Sequence, residues 1–164
     1  MKHETKHIAV ICFICLAAIA ASVIGVLITN NPVGEHGSDS QGQSSGEIMS
    51  SITIRVNDRE YKVRIADNEA AQEFANSTPF ELPMIELNGN EKYYQGSDKL
   101  KAEAYNPGRI EAGDLMLYGD DCIVLFYKSF DTTYGYTRLG WVEDAEDLEE
   151  VLGSDNVTVI FTKN

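Results

Sequence analysis

The chain has 164 residues, and its 26 acidic side chains against 13 basic ones give a formal net charge of −13. A length of this order fits one compact domain with additions. So acidic a surface repels nucleic-acid phosphates and gains nothing from anionic lipid headgroups, so nucleic-acid binding is set aside.

Met1–His7 is polar, with Lys2 and Lys6 against Glu4. The run "IAVICFICLAAIAASVIGVLI", Ile8–Ile28, follows without a charged side chain. As a helix at ~1.5 Å per residue it spans roughly 30 Å, about one bilayer core. Residues 1–29 therefore read as a membrane anchor or signal segment. The lysines stay cytoplasmic and the remainder of the chain is exported. Ala18-Ile19-Ala20 resembles a signal-peptide cleavage site, but the apolar run continues through Ile28. That length favours an uncleaved single-pass anchor in the cell membrane; secretion after cleavage is the alternative. Cys12 and Cys15 lie among Ile, Phe and Leu and read as small apolar helix residues, not as a redox or zinc half-site.

Residues 30–51, "NNPVGEHGSDSQGQSSGEIMSS" from Asn30, are rich in Gly, Ser and Gln. They cannot bury enough surface to offset their ordering entropy and read as a flexible linker, with an r.m.s. span of about 25 Å. His36 is a lone linker residue.

Residues 52–164 read as the folded domain. In Ile52–Ile65, Ile52, Ile54, Val56 and then Tyr61, Val63, Ile65 alternate with polar residues around Asn57-Asp58, which predicts a β-hairpin with one buried face. Asn68 is placed to cap a short helix whose apolar face is Ala71, Phe74 and Ala75. Past Pro79 and Pro83, Met84, Glu86 and Asn88 alternate with Ile85 and Leu87, and "NGNEKYY" supplies a turn followed by two tyrosines. Asn106-Pro107-Gly108 and Ala112-Gly113-Asp114 are turn signals. Leu115–Tyr118 is a short strand. Cys122–Tyr127 is apolar on both faces, so a central strand is predicted there. After the turn at Asp131-Thr132-Thr133, "YGYTRLGW" is expected as its hairpin partner. Asp144 is expected to cap a helix with the stripe Leu148, Val151, Leu152, ended by Gly153. "NVTVIFT" is the closing strand. Seven or eight short strands and two short helices predict a mainly β domain, a small closed or nearly closed barrel.

Binding candidates cluster around the central strand. Tyr134, Tyr136 and Arg138 share one face at i, i+2, i+4, near Phe126 and Tyr127, and rings beside an arginine can seat a peptide or small ligand. The same row also reads as half-buried sheet residues with Arg138 paired to a carboxylate. Glu86, Asn88 and Tyr93 are candidates for the rim of a cavity, and an exposed turn explains them as well. Asp120-Asp121 lacks calcium-loop spacing, and no metal site is expected. All three histidines precede residue 52, and neither a G-x-S-x-G motif nor a P-loop occurs. Cys122 reads as a small buried hydrophobe with no disulfide inside the domain. No cofactor is expected, and the sequence carries no signal for an oligomeric state.

The stretch "PGRIEAGDLMLYGDDCIVLFYKSFDTTYGYTRLGWVEDAEDLEEVLGSDNVTVIF" resembles the bacterial cyclophilin-like domain family, above all through "AGDLMLYG", "CIVLFY" and "YTRLG". "NEAAQEFANSTPFELPM" and "LNGNEKYY" are similar to it as well, so the resemblance covers Ile52–Lys163. It implies a cyclophilin-type barrel of about eight strands with two helices. Cyclophilins isomerise X-Pro bonds by aiming a cationic donor at the prolyl nitrogen across a barrier of roughly 18–20 kcal/mol. Their "FHR"-like and "QFF"-like motifs are absent here, so the resemblance carries over no catalytic residue; Arg138 and Arg109 are the candidate donors. Two functions follow as expectations. One is a membrane-tethered extracytoplasmic module that binds a peptide or small ligand through Tyr134, Tyr136, Phe126, Tyr127, Glu86 and Tyr93. The alternative is a divergent peptidyl-prolyl isomerase.

Overall fold

A computed structural model describes residues 50–164; the anchor expected over 1–29 and the linker up to residue 49 lie outside the described residues. Alternation builds the first hairpin as expected. β1 (Ser51–Val56) and β2 (Arg59–Ile65) turn through Asn57-Asp58, where Asn57 takes a φ of 52°. Asn68 caps α1 (Glu69–Asn76): its side-chain oxygen accepts the Ala71 N–H at 2.9 Å, and its amide donates to the Arg138 carbonyl at 2.7 Å. One residue thus starts the helix and fixes it to the sheet.

β3 (Phe80–Leu87) and β4 (Glu91–Gln95) are joined by a tight turn in which Asn88 and Gly89 have φ of 58° and 71°. Positive φ at both central positions matches the right-handed twist of the paired strands, and Asn-Gly is the pair best suited to it. β5 (Arg109–Ile110), β6 (Asp114–Tyr118), β7 (Cys122–Phe126), β8 (Phe130–Asp131), β9 (Thr137–Val142), α2 (Leu148–Leu152) and β10 (Val157–Lys163) complete the order.

Eight strands close into an antiparallel barrel in the order β1-β10-β3-β4-β7-β6-β9-β2, and β5 and β8 form a separate pair. Closure leaves no edge in the main sheet. Interior side chains form one cluster that includes Ile54, Val63, Met84, Leu115, Leu125 and Phe161, joined by Phe74 of α1 and by Leu148 and Leu152 of α2. Phe74, Phe80 and Phe161 meet ring to ring, with centroids 5.0–5.4 Å apart.

Two expectations are corrected. The predicted partner of the central strand does not pair with it: β7 lies between β4 and β6, while β9 lies between β6 and β2. Apolar patterning shows that β7 is central but does not say which distant strands flank it, and Tyr134 and Tyr136 fall in the loop before β9. Asp144 is not the cap of α2. It takes a φ of 55°, the helix begins at Leu148, and Asp147 stands at the N-cap position. The Asp147 carboxylate is engaged elsewhere, by Arg59 and by the Tyr61 hydroxyl at 2.7 Å. The barrel itself has the eight strands expected, and among the described residues β5 and β8 add a short pair outside it that leaves no sequence pattern.

Candidate functional site

The sheet β3–β4–β7–β6 has two chemically different faces. Its inward face carries a polar cluster at the register row Glu86, Lys92, Leu125. Lys92 is 0 % exposed. An ammonium has three donors and cannot be buried without partners for them. Here its Nζ meets the Glu86 carboxylate and the carbonyls of Gly153 and Asp155, both at 2.8 Å. The Tyr127 hydroxyl donates to the same carboxylate, 2.9 and 2.8 Å from its two oxygens, and the Gly89 N–H donates at 2.8 Å. Burial pushes the Glu86 carboxyl pKa up, but the hydrogen bonds from Lys92, Tyr127 and Gly89 outweigh it and hold the group below its ordinary value. Burial and the bond to Glu86 raise the Tyr127 hydroxyl. Every strong donor is matched, so the cluster is a closed structural tie between the β3–β4 hairpin and the segment leading into β10.

The outward face is apolar and only partly covered. Ile85, Tyr93, Val124, Met116 and Arg138 align as register partners across five neighbouring strands, and Leu87, Glu91 and Phe126 align in a second row. Ile110, Phe130 and Tyr136 cover the β6–β7 part, making a second core with Met116, Cys122, Val124 and Phe126. Phe126 holds this cover, with ring centroids 5.6 Å from both Phe130 and Tyr136. Tyr118 packs against Tyr136 at 5.6 Å and against Tyr134 at 6.4 Å.

Among the described residues, the β3–β4 part has no such cover. Ile85 is 43 % and Leu87 38 % exposed, next to half-buried Tyr93. Leu82 and Met84 face the core on β3, so strand alternation turns Glu86 inward to Lys92 and sends the apolar Ile85 and Leu87 out.

Glu91 sits on the same face, between Leu87 and Phe126 in register. Its half-buried side chain receives no hydrogen bond or ion pair from any of the described residues. Burial, and then the charge of Glu86, push its carboxyl up to about 7. Tyr136 is pushed up to about 12 by burial and then by the Glu91 charge, which places the two groups within electrostatic reach.

Both arginines considered as donors are committed to carboxylates. Arg138 donates to Asp114 at 2.6 Å and to the Tyr105 hydroxyl at 3.1 Å; Arg109 donates to Glu111 at 2.8 Å and to Asp131 at 3.0 Å. Burial lowers the Arg138 pKa, but Tyr105 and Asp114 outweigh it and leave it raised.

The six ligand-contact candidates do not form one site. Phe126, Tyr136, Tyr134 and Tyr93 belong to the outward aromatic surface, with Phe126 itself fully buried. Glu86 and Tyr127 lie on the inward side and are bound to each other. Sequence reasoning missed Lys92, Glu91, Ile85, Leu87 and Phe130. A signal existed for Lys92, since the Asn88-Gly89 turn sets it opposite Glu86.

A family model described as the cyclophilin-like family matches residues 54–162. Among solved structures, the chain is similar to the solution structure of the hypothetical protein AF2241 from Archaeoglobus fulgidus. The TM-score is 0.50 with 17% sequence identity, covering 73% of this chain and 99% of that one. At that identity the likeness concerns the fold. No curated protein matches the chain.

Proposed function

Because the chain belongs to the cyclophilin-like family through residues 54–162, we propose that it is a membrane-tethered, extracytoplasmic cyclophilin-like domain that binds a peptide or small ligand on the outward face of its barrel. The supporting observation for binding is the uncovered apolar surface of β3–β4, where Ile85 and Leu87 are exposed beside Tyr93. Exposed apolar residues that are contiguous on a rigid sheet mark interaction surfaces more often than scattered ones do. Support for the tether is the uncharged run Ile8–Ile28 with lysines on its N-terminal side. Among the described residues no helix is long and apolar enough to cross a membrane, so the proposed anchor rests on residues 1–29 alone.

The barrel of residues 50–164 closes on itself with its own core, so it can be studied apart from the anchor. Nuclear magnetic resonance titration of this domain with short apolar peptides should move the amides of Ile85, Leu87, Glu91 and Tyr93. Movement confined to other parts of the barrel would refute this surface as the site. In the full chain, the domain should sediment with membranes, resist alkaline extraction and be cleaved by protease added from outside. Release by alkali would rule out the uncleaved anchor.

The alternative, a divergent peptidyl-prolyl isomerase, has less support. Its donor would be Arg138 or Arg109, and both guanidinium groups are held by carboxylates. Exchange spectroscopy with an Ala-Pro peptide separates the two: binding without faster cis–trans exchange is the expected result.

A further inference from the structure

We propose that the partner recognised on this face is an extended peptide segment carrying a lysine or arginine with an apolar residue two positions away, the Glu91 carboxylate serving as its counter-charge. This rests on the ligand-binding reading above and narrows it to a class of ligand.

Glu91 is an acid on an otherwise apolar surface, between Leu87 and Phe126. Other acids of the domain already have cations: Glu86 has Lys92, Asp114 has Arg138, and Glu111 and Asp131 share Arg109. Glu91 has none among the described residues. A half-buried carboxylate without a cation is costly, and a ligand ammonium or guanidinium placed against it would offset that cost.

The spacing argues for an extended chain. Glu91 and Tyr93 are two residues apart on β4, about 7 Å, the repeat between same-side side chains of any extended strand. A peptide lying along β4 with its basic side chain at Glu91 would set its next same-side residue against Tyr93 and Ile85, which are register partners. The net charge of −13 draws cationic segments toward the domain from a distance.

The test is a titration of residues 50–164 at pH 8 with the blocked pentapeptide Ala-Lys-Ala-Leu-Ala and its analogue carrying norleucine in place of lysine. The lysine peptide should shift Glu91, Tyr93 and Ile85 and bind about tenfold tighter than the norleucine analogue, the worth of one charge-assisted hydrogen bond. Glu91→Gln should abolish that preference. Glu73→Gln, which removes an equal charge from an exposed site on α1, should leave it intact. Equal binding of both peptides at these residues overturns the inference and leaves the ligand-binding reading standing. A preference that survives Glu91→Gln overturns it too, assigning the effect to overall charge. Absence of shifts at these residues with either peptide overturns both.

Discussion

The Tyr127 hydroxyl lies 2.8 and 2.9 Å from the two oxygens of Glu86, so two residues that could have been ligand contacts are instead bound to each other inside the barrel. Lys92 meets the same carboxylate with no exposure of its own. This makes the two halves of the ion pair unequal. Glu86→Ala leaves a fully buried ammonium with only the Gly153 and Asp155 carbonyls and no counter-charge, and should cost about 3–5 kcal/mol. Lys92→Met leaves Glu86 its bonds from Tyr127 and Gly89 and should cost about 1–2 kcal/mol. Urea unfolding of both variants checks the order; equal losses would mean that Lys92 is not desolvated in the folded state.

The protonation of Glu91 gives stability a particular dependence on pH. Its carboxyl rises from an ordinary 4.5 to about 7 on folding. The folded state therefore binds the proton more tightly, and the contribution is present below pH 4.5 and lost as pH rises toward 7. After allowance for solvent screening, the loss is on the order of 1–2 kcal/mol. The titratable groups electrostatically coupled to Glu91 are Glu86 on β3, Tyr127 after β7 and Tyr136 before β9; the tyrosines are raised and stay neutral throughout this window. Glu86, with its lowered pKa, acts in the opposite sense, adding stability above 4.5 that is lost as the pH falls through its folded value. Denaturant midpoints should thus fall between pH 5 and pH 8, and Glu91→Gln should flatten that slope. An unchanged slope in the variant would contradict the assignment.

Gly140 is where β9 passes closest to β2. A Cβ there would stand 2.2 Å from the Arg64 carbonyl oxygen, a backbone atom that cannot swing away. Gly140→Ala must separate the Ile65–Gly140 pair that closes the barrel and should cost more than about 2 kcal/mol. At Gly135 the nearest atoms to an added Cβ are 3.7 and 3.8 Å away, and Gly135→Ala should stay within about 0.5 kcal/mol of the parent. Thermal melting of the two variants checks the contrast.

Arg138 is expected to matter for folding and not for turnover. Arg138→Ala leaves the carboxylate of Asp114, 3 % exposed, with only the Glu111 N–H at 3.0 Å. A loss of about 2 kcal/mol should follow, with no change in the exchange rate of an Ala-Pro peptide. Catalysed exchange in the parent that vanishes in the variant would restore the isomerase reading.

Much of the barrel was legible from local pattern. The alternation in Ile52–Ile65, the Asn68 cap and the two-faced apolar run at Cys122–Tyr127 each reflect a neighbourhood of a few residues. What stayed hidden depends on distant partners. The place of β9 between β6 and β2 is fixed by contacts far along the chain, including the close approach at Gly140. The surface was harder still, because Ile85 and Leu87 point outward against their hydrophobicity. That parity is set by Leu82 and Met84, which face the core on the same strand, and by the pairing of Glu86 with buried Lys92 across the turn, whereas the hydrophobicity of Ile85 and Leu87 taken alone points the other way.

The first and last strands of the barrel are neighbours. β1 and β10 run side by side from Ile52 opposite Lys163, and the Asn164 amide reaches the Ser51 hydroxyl at 2.7 Å. A short bridge could therefore join Asn164 to Ser51, and the chain could be reopened at the exposed Gly119 turn between β6 and β7 without moving a strand. The order in which the eight staves are synthesised is then an accident of history, and the ring they form has no necessary beginning. A reporter fused after Asn164 would stand at the root of the proposed tether, sharing its point of attachment.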